Sequence, residues 1–121
     1  MLPGLLFVIA CTEHGQTPQA QDATDPAVCE AAFEASIDRA CTVPSDCVLV
    51  SHDDCCGVVE FGVSSANSGS FPGAEAELRR CAPCPPLGCA HPDFAEDGRA
   101  PQMGQAIVTT CVANRCSSIV Q

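Results

Sequence analysis

Lysine, tryptophan and tyrosine are absent from the 121 residues of this chain, and phenylalanine occurs only five times. Each shortage excludes something. With so few large apolar side chains, a domain near ~100 residues is marginal if it relies on core burial alone. The 46% hydrophobic content does not repair this, because much of it is Ala and Cys, which bury little area each. Basic residues amount to five arginines against 15 acids, a net charge of −10. That balance repels phosphate backbones and anionic headgroups, so nucleic acid is excluded as a partner and an electrostatic membrane patch is a poor reading. There is no Gly-x-Ser-x-Gly elbow, and His52 beside Asp53 and Asp54 is the only His-acid cluster. It reads as a turn, and the chain is not expected to be an enzyme or to hold a cofactor.

Cysteine is what the chain has in excess: 11 residues, about 9% of the total, the range of small secreted disulfide scaffolds. The stretch from Cys41 to Gly57 places four of them, Cys41, Cys47, Cys55 and Cys56, around one apolar run, Val48-Leu49-Val50. Turn residues flank that run on both sides, Pro-Ser-Asp before and His-Asp-Asp after, so it reads as a strand and as the hub of a disulfide framework. If Cys55 and Cys56 are extended, they point to opposite faces and tie the strand to two different neighbours.

The first residues read as an address. Residues 1–10 are apolar, too short to span a bilayer, and end in Ala10 before Cys11, as a signal peptide does. Eleven cysteines cannot all pair within one chain, whereas the ten after Cys11 can, which also sets Cys11 apart. Residues 11–24 follow as a Gln-, Thr- and Pro-bearing stretch with little to bury, the composition of a flexible tether. The stapled domain is expected over 25–121.

Asp25 or Thr24 can cap a helix with Pro26 in its first turn, running to about Arg39. Cys29, Phe33, Ser36, Ile37 and Ala40 share one stripe of it, and Glu30, Glu34 and Asp38 form a solvated acidic stripe. Cys29 would staple this helix to the sheet beneath. Val58–Val63 reads as a second strand, antiparallel to 48–51, and Ser64–Gly73 as a loop. A short second helix spans 74–80, with Glu75 four residues before Arg79. Pro92–Gly104 reads as a long solvated loop carrying Asp93, Glu96 and Asp97. Two β-rich runs, 105–112 and 116–121, meet at Ala113-Asn114, a two-residue hairpin turn that sets Cys111 opposite Cys116. Those two either bond each other or both reach inward. The expected fold is thus small, disulfide-rich α+β: an N-terminal helix on a three- to four-stranded antiparallel sheet, with a short second helix and long loops.

Cys81-Ala-Pro-Cys84 and Cys89-Ala-His91 admit a second chemistry. Cys81, Cys84, Cys89 and His91 have the ligand types of a zinc or copper site. Exported thiols more readily oxidise, so structural bridges are preferred and no metal is expected. The disulfide set is then Cys29, Cys41, Cys47, Cys55, Cys56, Cys81, Cys84, Cys89, Cys111 and Cys116, with connectivity open among roughly 945 pairings.

Two resemblances sharpen this. Val8-Ile9-Ala10-Cys11 resembles the lipobox of bacterial lipoproteins. From Cys29 to Cys116 the pattern is similar to small cysteine-rich lipoproteins of Gram-negative bacteria, through Cys41-x5-Cys47-Val-x-Val, the Cys55-Cys56 doublet and the closing Cys111-x4-Cys116 hairpin. The resemblance implies lipidation at Cys11, acyl chains as the contact with the membrane, and, with Thr12 next, an outer-membrane address. It implies no assigned activity. The expected function is a non-catalytic, lipid-anchored envelope module, structural or protein-binding. The alternatives are a periplasmic metal-binding protein using cysteine thiolates and, further off, a protease inhibitor presenting Arg99 before Ala100-Pro101.

Overall fold

The computed structural model describes residues 25–86 and 88–121. The expected signal peptide over 1–10, the lipidated Cys11 and the tether to residue 24 lie outside them. Among the described residues no helix is long and apolar enough to cross a membrane.

Helix α1 spans Pro26–Ser36, with the Asp25 side chain accepting from the Ala27 N–H at 2.9 Å and Pro26 in the first turn. It stops three residues short of Arg39. The Ser36 hydroxyl bonds back to the Phe33 carbonyl, Ile37 turns extended, and Arg39 is drawn into the interior. Strand β1, Cys47–Asp53, follows a 3-10 turn at Pro44–Asp46, where the Asp46 carboxylate gathers the Thr42 N–H and hydroxyl and the Val43 N–H. β1 pairs antiparallel with β2, Val58–Ser64, Val50 opposite Phe61 and Asp53 opposite Val58. His52 and Asp53 are therefore strand rather than turn, and the reversal falls at residues 54–57.

The region expected as a loop over 64–73 is ordered differently. It holds the end of β2, a 3-10 segment Ser65–Ser70 and the first turn of α2, Phe71–Cys81. Pro72 occupies that first turn, where its missing N–H costs nothing, and Phe71 is buried. β3, Phe94–Ala95, lies within the expected 92–104 loop and pairs parallel to β2, Glu60 opposite Ala95. β4, Ile107–Val112, and β5, Arg115–Val120, form the terminal hairpin, with Ala113 and Asn114 at φ 52° and 60°, the positive angles of a two-residue turn.

The result is a small disulfide-rich α+β fold with two helices and two small sheets, β1-β2-β3 and β4-β5. The terminal hairpin forms its own sheet instead of extending the first, which is therefore not wholly antiparallel. Period-two alternation sends Val50, His52, Phe61 and Val63 toward the helices and Cys47, Gly62 and Ser64 toward the hairpin. On the helix side Phe33, Phe71, Ala74 and Leu78 close the core. On the hairpin side approach is so close that a Cβ at Gly62 would stand 2.2 Å from the Ser117 carbonyl oxygen. Ser118, fully buried, donates from its hydroxyl to the Glu60 carbonyl and accepts from the Glu96 N–H.

A polar group completes what aromatics cannot. Arg39 is 7% exposed, its guanidinium lying 4.4 Å from the Phe61 ring centroid. It meets Glu34 at 2.8 Å and Glu96 at 2.7 Å and donates to the Gly62 carbonyl at 3.0 Å. Glu96 in turn accepts the Gly62 N–H at 3.0 Å. Gly62 is opposite Leu49, where the β2 main chain faces away from β1, so Arg39 and Glu96 stand in for a strand that β3 is too short to supply. The expectation of Glu96 as a solvated loop acid is corrected by these contacts, whereas Glu34, expected on a solvated stripe, is exposed and pairs with Arg39 from the surface. Asp38, expected on the same acidic stripe, leaves the helix and accepts from the Ala40 N–H and the Asn67 amide.

Five bridges staple these layers: Cys29–Cys81, Cys41–Cys111, Cys47–Cys116, Cys55–Cys84 and Cys56–Cys89, with Cα separations of 5.7, 6.1, 5.8, 5.3 and 5.1 Å. Cys111 and Cys116 both reach inward. Cys29 joins α1 to the end of α2, not to the sheet. Cys55 and Cys56 both reach one segment, since they sit on a turn, where Cys55 has φ 74°, and not on extended chain. In the chain-entropy account each bridge contributes roughly 2–4 kcal/mol.

Breaking a buried, hydrogen-bonded ion pair from one side leaves the other charge stranded, at about 3–5 kcal/mol. Arg39→Met should lower the urea-extrapolated stability by that amount with all five bridges intact. Glu96→Gln, which keeps an acceptor for the Gly62 N–H, should cost less, about 1–3 kcal/mol.

Candidate functional site

Among the described residues β1 has β2 on one side and no strand on the other. The Asp54 N–H bonds the Gly57 carbonyl at 3.2 Å, which together with the register assigns the ladder bonds to residues 48, 50, 52 and 54. Leu49, Ser51 and Asp53 therefore turn their main-chain groups to the free edge. Asp53 is capped there by Glu75 Oε2, which accepts its N–H at 3.2 Å. Leu49 and Ser51 line a groove of about 610 Å³ closed on its far side by Phe71 and Pro72 of α2. Val48 and Leu49 are exposed on its rim.

At the far end of this edge the 54–57 turn gathers charge and sulfur. Asp53 Oδ1 accepts the Cys55 N–H and Asp54 Oδ1 the Cys56 N–H, at 2.8 and 2.9 Å, local side-chain bonds that fix the turn. Asp54 Oδ2 lies 2.7 Å from His91 Nε2, whose Nδ1 lies 2.6 Å from the Pro92 carbonyl oxygen. With an acceptor at each ring nitrogen, the doubly protonated imidazolium fits best. Accordingly the Asp54 hydrogen bond, then the Pro92 carbonyl, raise the His91 pKa above its ordinary 6.5, with burial opposing. At Asp54 burial works upward but is outweighed by the His91 and Cys56 hydrogen bonds, and its pKa falls below 3.8. The His91 ring stacks on Phe94 at 4.5 Å and comes so near Gly57 that a Cβ there would stand 2.8 Å from it.

α2 supplies the other side. Arg79 donates to the Asp53 and Ala82 carbonyls, at 2.8 and 3.0 Å, and its Nη1 lies 3.0 Å from Cys55 Sγ. Glu75 also contacts His52 Nδ1, and the His52 ring, buried, stacks between Phe33 and Phe61. The expected Glu75–Arg79 pair along the helix is thus replaced by two separate reaches to the end of β1.

Comparison of the chain with protein-family models, with curated proteins and with solved structures finds no match. What the site can do rests on its own chemistry.

The residues singled out in the sequence as a metal set are not brought together. Cys81, Cys84 and Cys89 are in three different bridges and His91 is held by Asp54. A tight sulfur cluster does form, of Cys41, Cys47 and Cys116 within 4.8 Å, but each of these sulfurs is already in a disulfide and offers no thiolate. Arg99 sits on a closed turn, its carbonyl accepting from the Ala95 N–H and its N–H donating to Asp97, rather than on an extended segment able to enter a protease cleft. The roles of Glu75, Arg79 and the Asp54–His91 pair escape sequence reasoning; the long-range partners that define them are 22 or more residues away, and the one local signal, a histidine and an acid each beside the cysteines, is common to surface loops.

Because the folded His91 value lies above the unfolded one, its stabilisation is complete below pH 6.5 and fades as pH rises through the raised value. The Asp54 contribution is complete above pH 3.8 and fades as pH falls through the lowered value. Followed by NMR, His91 should titrate above 6.5, and Asp54→Asn should bring its midpoint down toward that ordinary value.

Proposed function

We propose that this protein is a non-catalytic, lipid-anchored module of the bacterial cell envelope that binds a partner protein through the free edge of β1. The observation that carries the binding reading is that edge: Leu49 and Ser51 offer main-chain donors and acceptors at antiparallel spacing beside an apolar groove. No lysine, proline or bulge protects it between Cys47 and Ser51, the devices by which exposed edges are ordinarily blunted. The anchor reading rests on the lipobox-like Val8–Cys11 and on a domain whose ten described cysteines pair among themselves, leaving Cys11 for another use.

Charge selects the occupant. The chain carries −10, and the guanidinium groups of Arg39, Arg79, Arg80 and Arg115 all face acceptors of their own chain. A second copy would bring equal charge, so the fitting partner is an extended segment with apolar residues alternating with basic ones. The surrounding framework is rigid, so little ordering cost falls on this side of the complex. Calling the module structural or protein-binding is thus narrowed to binding by strand addition.

Four measurements test it. The intact mass of membrane-extracted protein should show a chain beginning at Cys11 with acyl chains, and Cys11→Ser should move the protein to the soluble fraction; an unprocessed chain, or unchanged membrane attachment of Cys11→Ser, overturns the anchor. Thiol titration of the unfolded mature domain should find close to zero free thiols, whereas four or more would favour the thiolate metal-binding alternative. For the edge, an alternating Val-Lys peptide should shift the amide NMR signals of Leu49 and Ser51, and Ser51→Pro, which removes one edge donor, should abolish the shift at Leu49. Shifts spread over the acidic surface without these two amides would overturn strand addition.

A further inference from the structure

Bridges Cys55–Cys84 and Cys56–Cys89 are near twins. Both start on the 54–57 turn, both end on the stretch after α2 whose described residues up to 93 are in neither helix nor strand, and both end on an exposed cysteine. In each, a carboxylate accepts the main-chain N–H of the turn cysteine. They differ in two respects, the charge beside the sulfur and the backbone of the turn cysteine. Arg79 Nη1 lies 3.0 Å from Cys55 Sγ, whereas the charged neighbour on the Cys56 side is Asp54, ion-paired to His91.

A cation beside a sulfur favours the thiolate, and a stabilised thiolate is the better leaving group in disulfide exchange. The Arg79 guanidinium also has an N–H in reserve, since Nε is buried and without an acceptor among the described residues. A thiolate, with more lone pairs and a full charge, is a stronger acceptor than a disulfide sulfur. Cys55 adds a backbone reason. It holds φ 74°, a left-handed conformation that is unfavourable for a non-glycine residue, and opening its bridge removes one of the constraints that keep it there.

We propose that Cys55–Cys84 is a thiol–disulfide exchange site, opened in preference to the other four bridges by an exported dithiol. The incoming thiolate attacks the exposed Cys84 Sγ and forms a mixed disulfide with it. The Cys55–Cys84 bond breaks, and its electron pair leaves on Cys55 as a thiolate facing Arg79. The second thiol of the reductant then displaces Cys84, which departs as a thiolate and takes up a proton; two electrons have passed to the protein and the dithiol is oxidised to its disulfide. The remaining bridges keep both layers in place, because Cys41–Cys111 and Cys47–Cys116 lie in a separate buried cluster and Cys29–Cys81 joins the helices. This inference does not rest on the anchor or on the binding edge.

The twin bridge is the internal control. The oxidised full-length mature protein is treated with limiting dithiothreitol under native conditions, quenched by alkylation, and mapped by peptide mass spectrometry. Cys55 and Cys84 should be labelled first, at least about fivefold faster than Cys56 and Cys89, and the preference should vanish in urea. Arg79→Met should bring the two native rates to within about twofold, and Arg79→Lys, which keeps the charge, should restore part of the difference. Equal native rates for the twins, earlier labelling of any other bridge, or a preference unchanged in Arg79→Met would each overturn the proposal. Should Arg79→Met not fold, the wild-type ratio in native buffer against urea still decides, since a preference arising from loop position in sequence alone would survive unfolding.

Discussion

Everything in this fold depends on one constraint: the antiparallel pair β1–β2 is tied by sulfur at both of its ends. Cys41 and Cys47 at one end reach Cys111 and Cys116 of the terminal hairpin, and Cys55 and Cys56 at the other reach Cys84 and Cys89 after α2. A two-stranded ribbon is marginal in water by itself. Here the ribbon is sandwiched, helices on one face and a second ribbon on the other, and the bridges hold both coverings in register against it. Because the pairs span 29 to 70 residues of sequence, each removes long-range freedom from the unfolded chain rather than merely closing a local turn.

Sulfur does not replace the whole of a missing core, and polar groups take a share. Three phenylalanines, Phe33, Phe61 and Phe71, converge with the His52 ring into the one aromatic cluster of the helix face, centroids 4.6 to 6.3 Å apart. Arg39 continues that stack below Phe61 while its donors satisfy Glu34, Glu96 and the Gly62 carbonyl. One guanidinium thus acts as apolar surface on its flat face and as a strand substitute along its edge, which a planar, always-charged group can do and an ammonium cannot. That the chain has arginine and no lysine agrees with this use.

What is readable in one dimension and what is not divides along the range of the interaction. The Asp25-Pro26 helix start and the Ala113-Asn114 turn are set by neighbours a few residues apart, so residue type alone reveals them. The hub role of residues 41–56 is readable because cysteine is so specific in its use. The start of α2 is obscured because Phe71-Pro72-Gly73 carries loop punctuation, and only the burial of Phe71 among other aromatics shows that the proline opens a helix. Glu96 looks solvated because its partners, Arg39 and Gly62, lie 57 and 34 residues away. His52 looks like a turn residue beside two aspartates, yet ring stacking on Phe33 and Phe61 places it inside. At the site the edge of β1 is hidden for the same reason: alternation identifies a strand but not whether it has one neighbour or two.

The two ends of the ribbon are built to different standards. At the Cys47 end Cys41, Cys47 and Cys116 are buried and packed together, Cys116 fully enclosed and Cys111 partly buried beside them, so this end is better protected from exchange and holds the hairpin fixed. At the Cys55 end the partner cysteines are exposed on chain without regular structure, and the turn is held by carboxylates, a histidine and an arginine. Local opening concentrates where few apolar contacts and exposed backbone coincide, which describes the second end and not the first. The free edge of β1 runs from the rigid end to the labile one, with Glu75 bonded to Asp53 and to His52 where they meet. Arg79, which touches both Cys55 Sγ and the Asp53 carbonyl, joins the sulfur of the turn to the last residue of that edge.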